Sequence, residues 1–130
     1  MKKEIRHVDK AVEEAQKSSY RIKVGCILYR KNRIYSRGHN DPLKSARKLH
    51  PHFQKWPGSI HAEVDAILHA RRNLEGCNAL IVRINRFGQF RLSKPCAHCL
   101  SYLERVGIKK ITYTTDKYPF FIVAFLHHLK

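Results

Sequence analysis

Two short runs of this sequence carry residue types that bind metals and move protons. His61-Ala62-Glu63 opens one apolar-periodic segment, and Pro95-Cys96-Ala97-His98-Cys99 opens the next. One imidazole and two thiolates supply three ligands for a tetrahedral zinc ion. Three protein ligands leave a fourth position open, as in catalytic zinc sites and unlike structural ones. Zinc takes neutral imidazole and ionised thiolate, and the positive end of a helix lowers a thiol pKa. Cys96 and Cys99, three residues apart, can point to one side of a single helical turn. Residues two apart on a regular helix lie about 200° apart around its axis, so Glu63 reads as a group beside the metal and not as a ligand. The set points to metal-assisted hydrolysis with one acid/base carboxylate. The competing reading is a structural zinc held by His61, Cys96, Cys99 and one of His98, His39, His50 or His52, in a small nucleic-acid-binding module.

The elements that must join these runs can be read from periodicity. Ile5, Val8, Val12 and Ala15 recur at helical spacing, so an amphipathic helix is expected to end near Ser18 and Ser19. Residues 24–29 form an apolar run fit for a buried strand, with residues 33–38 as its hairpin partner. A long connection follows over residues 39–59, and loops of that length are usually functional. Ser59 can cap a helix carrying Ile60, Val64, Ile67 and Leu68 on one face. Residues 79–84 read as a strand. Pro95 opens a helix through Leu100, Leu103 and Val106 that Gly107 stops. Residues 108–114 read as a strand, and residues 119–129 as a final helix that packs on the sheet or on a second subunit. The order αββαβαβα with two parallel crossovers predicts an α/β fold of three layers, a mixed central sheet with helices on both faces.

Composition sets the frame around that site. A chain of 130 residues is the size of one domain, and its 43% hydrophobic content predicts a packed globule. No segment reaches the roughly 20 apolar residues needed to span a bilayer, so no membrane partner is expected. Met-Lys-Lys leads into charged residues and not into a signal-peptide core, and a cytoplasmic or nucleoplasmic location follows as the expectation. Four cysteines in such a chain indicate a metal site and not a disulfide framework, with Cys26 and Cys77 as buried bystanders. The net charge is +16, and residues 21–56 hold ten Lys or Arg against the single acid Asp41. A field of that sign attracts phosphate-bearing partners; the plainer reading is solubility.

With these residues in place the chain resembles the cytidine and deoxycytidylate deaminase superfamily. The likeness runs over residues 22–116, through Lys23-Val24-Gly25-Cys26-Ile27, Gly38-His39-Asn40, His61-Ala62-Glu63-Val64-Asp65-Ala66-Ile67, Pro95-Cys96-Ala97-His98-Cys99 and Gly107-Ile108-Lys109-Lys110-Ile111. The paired pattern H-x-E and P-C-x-x-C is the mark of zinc nucleobase deaminases. The motifs look most like the deoxycytidylate and tRNA-adenosine branches, and the His at position 61 fits them.

The resemblance implies a cytidine-deaminase-like fold and a hydrolytic conversion of cytosine to uracil in a phosphate-bearing substrate such as a (deoxy)cytidylate. Zn2+ would be bound by His61, Cys96 and Cys99, and Glu63 would be the catalytic proton carrier. Asn40 would bond the sugar and the Ala62 backbone would meet the base carbonyl. Asp65 stands where deoxycytidylate deaminases commonly carry Asn; four residues after His61, it could reach the metal or orient the imidazole, and the plainer expectation is that it faces substrate or solvent. The 39–59 loop holds His50 and His52 but no Cys, so a second, structural zinc is not expected.

Two loops flanking the motifs interleave rings and cations: Phe53, Trp56, Phe87 and Phe90 with Lys55, Arg86 and Arg91. Stacking plus charge is how single-stranded nucleic acids are held, which makes Trp56 and Phe87 candidate substrate contacts. The same rings could close the core or form a contact in a homo-oligomer. A polynucleotide substrate, with cytosine or adenine as the target base, is therefore the alternative to a free nucleotide.

Overall fold

A computed structural model describes residues 2–19, 21–40 and 61–126, with the side chains of residues 2–6 left aside. The expected first helix is present as α1 (Lys2–Gln16). The hairpin is β1 (Lys23–Arg30) and β2 (Arg33–His39), antiparallel, with a register shift between Leu28 and Tyr29. Then come α2 (Ala62–His69), β3 (Asn78–Ile84), the two-residue β4 (Phe90–Arg91), α3 (Ala97–Arg105), β5 (Lys110–Thr114) and β6 (Phe121–Phe125). The sheet order is β2-β1-β3-β5-β6, with β4 paired to β3.

The apolar runs of β1 and β3 are covered on both faces, and their alternation sorts residues between two cores. Ile27, Tyr29, Leu80 and Val82 pack with Ala11 and Ala15 of α1. Cys26, Leu28, Ala79 and Ile81 pack with Ala62 and Ala66 of α2 and Leu103 of α3. The expected three layers are therefore observed. Small residues set the spacing of the outer layers: a β-carbon on Gly25 would strike the α1 backbone at Ala11 and Ala15.

Four expectations are corrected. The final helix is absent among the described residues, because residues 121–125 form β6, antiparallel to β5 from Thr114 opposite Phe121 to Lys110 opposite Phe125. Phe-Phe-Ile-Val-Ala-Phe is rich in aromatic and β-branched residues, and a short apolar run cannot be told from a helix by periodicity alone. Only one crossover is parallel, β3 to β5 through α3; β1 and β3 are antiparallel. The cap of α2 is His61 and not Ser59, which lies outside the described residues, and Pro95 precedes the α3 cap Cys96 instead of opening the helix. Among the described residues no helix is long and apolar enough to cross a membrane.

Candidate metal and catalytic site

The two motif runs meet where α2 and α3 begin. His61 and Cys96 are the N-cap residues of the two helices, both in extended conformation, and neither side chain caps its own helix. The extended backbone at His61 frees its imidazole from helical geometry, so the angular argument that separated it from Glu63 does not apply. Glu63 nevertheless stays outside the ligand cluster, which among the described residues consists of His61, Cys96 and Cys99, with donor atoms all within 4.8 Å of one another. His39 and His98 do not join it, and His50 and His52 lie outside the described residues.

The donor set fits zinc. His61 Nδ1 lies 3.3 Å from Cys99 Sγ and 3.9 Å from Cys96 Sγ. The edges of a tetrahedron built on zinc–sulfur and zinc–nitrogen bonds are about 3.6–3.8 Å. Two sulfurs and an imidazole this close also share charge. The Cys96 thiol, hydrogen-bonded to Cys99 and then to His61, is pulled down to about 3, whereas that same sulfur contact, burial and Glu63 push Cys99 up. The asymmetry favours ionisation of Cys96 over Cys99. Burial would lower His61, but its bond to Cys96 and the charge of Glu63 raise it.

A cavity of about 310 Å³ opens beside the cluster, lined by His61, Ala62, Glu63 and Cys96 on the helix side. Its size is at the lower end of small-molecule sites. Glu63 is only 5% exposed, and burial pushes its carboxyl above the ordinary range. A carboxyl held towards neutral pH can both take and give a proton.

The other wall was not foreseen from the sequence. Ile22, Val24, Arg83, Leu92, Ser93 and Lys94 face the helices across the cavity. Ser93 is buried and fixes this wall: its Oγ donates to the Ile81 carbonyl at 2.8 Å and accepts from the Thr114 N–H at 2.8 Å. The only sequence signal for it is adjacency, since Ser93 and Lys94 run directly into Pro95.

Of the other expected contacts, Asn40 lines the cavity with its carboxamide already engaged. Its Oδ1 accepts from the Val24 N–H at 2.9 Å and its Nδ2 donates to the Ile22 carbonyl at 2.7 Å. Among the described residues, one amide hydrogen is left over for a ligand. Asp65 is a correction, being neither solvated nor on the cavity wall. It is 2% exposed, accepts from the His39 N–H at 2.9 Å and lies 3.3 Å from His69 Nδ1, which ties β2 to α2. Phe87 is 72% exposed and lines a neighbouring groove instead of the cavity. Phe90 packs on Phe120 and Phe121, the plain structural role. Trp56 lies outside the described residues.

Comparison with known proteins agrees with this geometry. Residues 1–115 match the family model of the cytidine and deoxycytidylate deaminase zinc-binding region. An uncharacterised deaminase of the luxG 3′ region in Aliivibrio fischeri is 30% identical over 91 residues, covering 68% of this chain and 55% of that protein. Deoxycytidylate deaminase of Schizosaccharomyces pombe is 27% identical over 107 residues, covering 72% of this chain and 31% of that one. The chain thus spans about half or less of the length of these curated relatives. Among solved structures, the dCMP deaminase of cyanophage S-TIM5 superposes with a TM-score of 0.63 at 24% identity, over 88% of this chain and 86% of that one. The same cyanophage enzyme has also been solved in complex with dCMP and dUMP.

Proposed function

The chain belongs to the cytidine and deoxycytidylate deaminase family, and we propose that residues 1–130 form a single domain that hydrolyses the amino group of cytosine in a phosphate-bearing substrate of the (deoxy)cytidylate class. The observation that carries this reading is the buried Glu63 beside a three-donor cluster fit for zinc, with Glu63, His61 and Cys96 on one cavity.

Zinc is the cofactor that the family and the His61, Cys96 and Cys99 donors fit. Bound there, it polarises water and lowers its pKa towards neutrality. Everything else falls to the protein. Glu63 takes one proton from the attacking water and delivers it to the ring nitrogen of the base. A C–O bond forms at the amino-bearing carbon; Glu63 then takes the second proton from the new hydroxyl group and passes it to the amine as the C–N bond breaks, releasing ammonia and leaving the carbonyl of uracil. Its raised pKa suits both halves of that traffic. Asn40 and the Ala62 backbone line the cavity where a sugar and a base carbonyl would sit. Arg83 and Lys94 on the opposite wall supply positive charge for a phosphate.

The test is ammonia release and uracil formation from dCMP and CMP by the purified zinc-loaded protein. Glu63→Gln, with zinc content retained, is expected to lower kcat at least 100-fold. Turnover undiminished by that change would overturn the mechanism, and ligand-dependent zinc binding without ammonia from any cytosine substrate would favour the binding-module reading.

A further inference from the structure

The cavity does not end at Arg83. A second groove of about 570 Å³ adjoins it and shares two of its walls, Ile22 and Arg83. Beyond them it is lined by Arg21, Arg86, Arg91 and Phe87. The register explains the continuity: Val24, on the cavity wall, lies opposite Arg83 in β3, and Arg83 lies opposite Arg91 in β4. The turn joining β3 and β4 is built to hold its tip out. Asn85 Oδ1 accepts from the N–H groups of Phe87 and Gln89 at 2.9 and 3.0 Å, and Gly88 takes φ +79. The Arg86 guanidinium lies over the Phe87 ring at 4.8 Å from its centroid.

Among the described residues none of these four arginines is paired with a carboxylate; Arg83 reaches only the Leu92 carbonyl, at 3.4 Å. Four cations around one groove repel one another, and a row of phosphates relieves that repulsion. A mononucleotide in the first cavity has Arg83 and Lys94 within it and leaves Arg21, Arg86, Arg91 and the exposed ring without a role. A free polyphosphate would use the cations but not the ring. A strand running out of the cavity uses both: its backbone follows the arginines and its next base stacks on Phe87. Within a strand, an extruded or unpaired base is the form whose amino group reaches a buried site.

We propose that the groove is a phosphodiester track, and that this deaminase acts on cytosine within a single-stranded polynucleotide. The inference rests on the deaminase reading above and names its substrate class. The first arm measures binding alone, by fluorescence anisotropy of labelled cytosine-containing 12-mers of DNA and RNA on zinc-loaded Glu63→Gln protein across a salt series. Saturable binding that weakens steeply with salt is expected. The double variant Arg86→Glu/Arg91→Glu should weaken it at least tenfold and Phe87→Ala about five- to tenfold, with unchanged thermal melts. The second arm compares kcat/KM for the better 12-mer with that for dCMP in the active protein, and expects a ratio above one that falls at least tenfold on the charge reversal. Absence of 12-mer binding, a ratio below one, or competition by deoxycytidine triphosphate as strong as that by the 12-mer overturns the track. Ammonia from neither substrate refutes the deaminase reading instead, and the binding arm still decides the track.

Discussion

Gly38 of β2 lies directly against the backbone of Ala66 in α2, and a β-carbon there would also come within 2.6 Å of the Ala62 carbonyl oxygen. This contact sets the height of the helix whose cap is His61. Gly38→Ala is therefore expected to cost about 1–3 kcal/mol by overpacking and to lower zinc affinity as α2 lifts. Denaturant melts and metal titration check both. A melt unchanged from the parent would show that the layer can slide freely.

Glu14 of α1 meets His39 at the end of β2, Oε2 to Nδ1 at 2.6 Å, while Lys17 holds its other oxygen at 3.1 Å. Burial alone would raise the Glu14 carboxyl, but these partners outweigh it and hold it below its usual 4.5. A depressed carboxylate adds stability that is complete above the unfolded pKa and lost as pH falls through the folded one. Glu14→Gln should therefore be less stable at neutral pH and lose less on acidification below about pH 4.5. Parallel acid titrations of the two proteins would refute this if their slopes coincide.

Removal of metal should loosen the junction of α2 and α3. At free zinc 100-fold above its dissociation constant the ion adds about 2.7 kcal/mol, so chelation is expected to lower the melting temperature and added Zn2+ to restore it. Cys99→Ser should remove most bound zinc, measured by elemental analysis, and abolish the restoring effect. Stoichiometric zinc in that variant would count against Cys99 as a ligand.

Thr112 of β5 is 1% exposed, and its Oγ1 has no hydrogen-bond partner among the described residues. Burying an unpaired hydroxyl costs about 1–3 kcal/mol, and Val has nearly the same shape. Thr112→Val is expected to stabilise by about 1 kcal/mol, read from the denaturation midpoint. A loss of stability would mean that the hydroxyl has a partner after all.

Much of this molecule was legible in its sequence because the informative residues are rigidly typed. His61, Cys96 and Cys99 have few other reasons to share a spacing, and the runs in β1 and β3 are too apolar to belong anywhere but between two covered faces. What escaped was set by neighbours. Asp65 reads as a surface carboxylate until β2 presents the His39 N–H to it. The residues of β6 suit a helix or a strand, and the free edge of β5 decides. Ser93 has no pattern of its own, since its role comes from the gap that β4 opens between Arg83 and Thr114, where the Thr114 hydroxyl accepts from the Arg83 N–H and donates to the Arg91 carbonyl.

The two helix caps carry a trade-off. Position 61 and position 96 are where Ser, Asp or Asn would each add about 1 kcal/mol by bonding the first turn, and the side chains present make no such bond. A screen of this chain for thermal stability alone, run without zinc, would drift towards those residues. It would report steady improvement while erasing two of the three metal donors, so laboratory evolution of this scaffold has to select with the ion present.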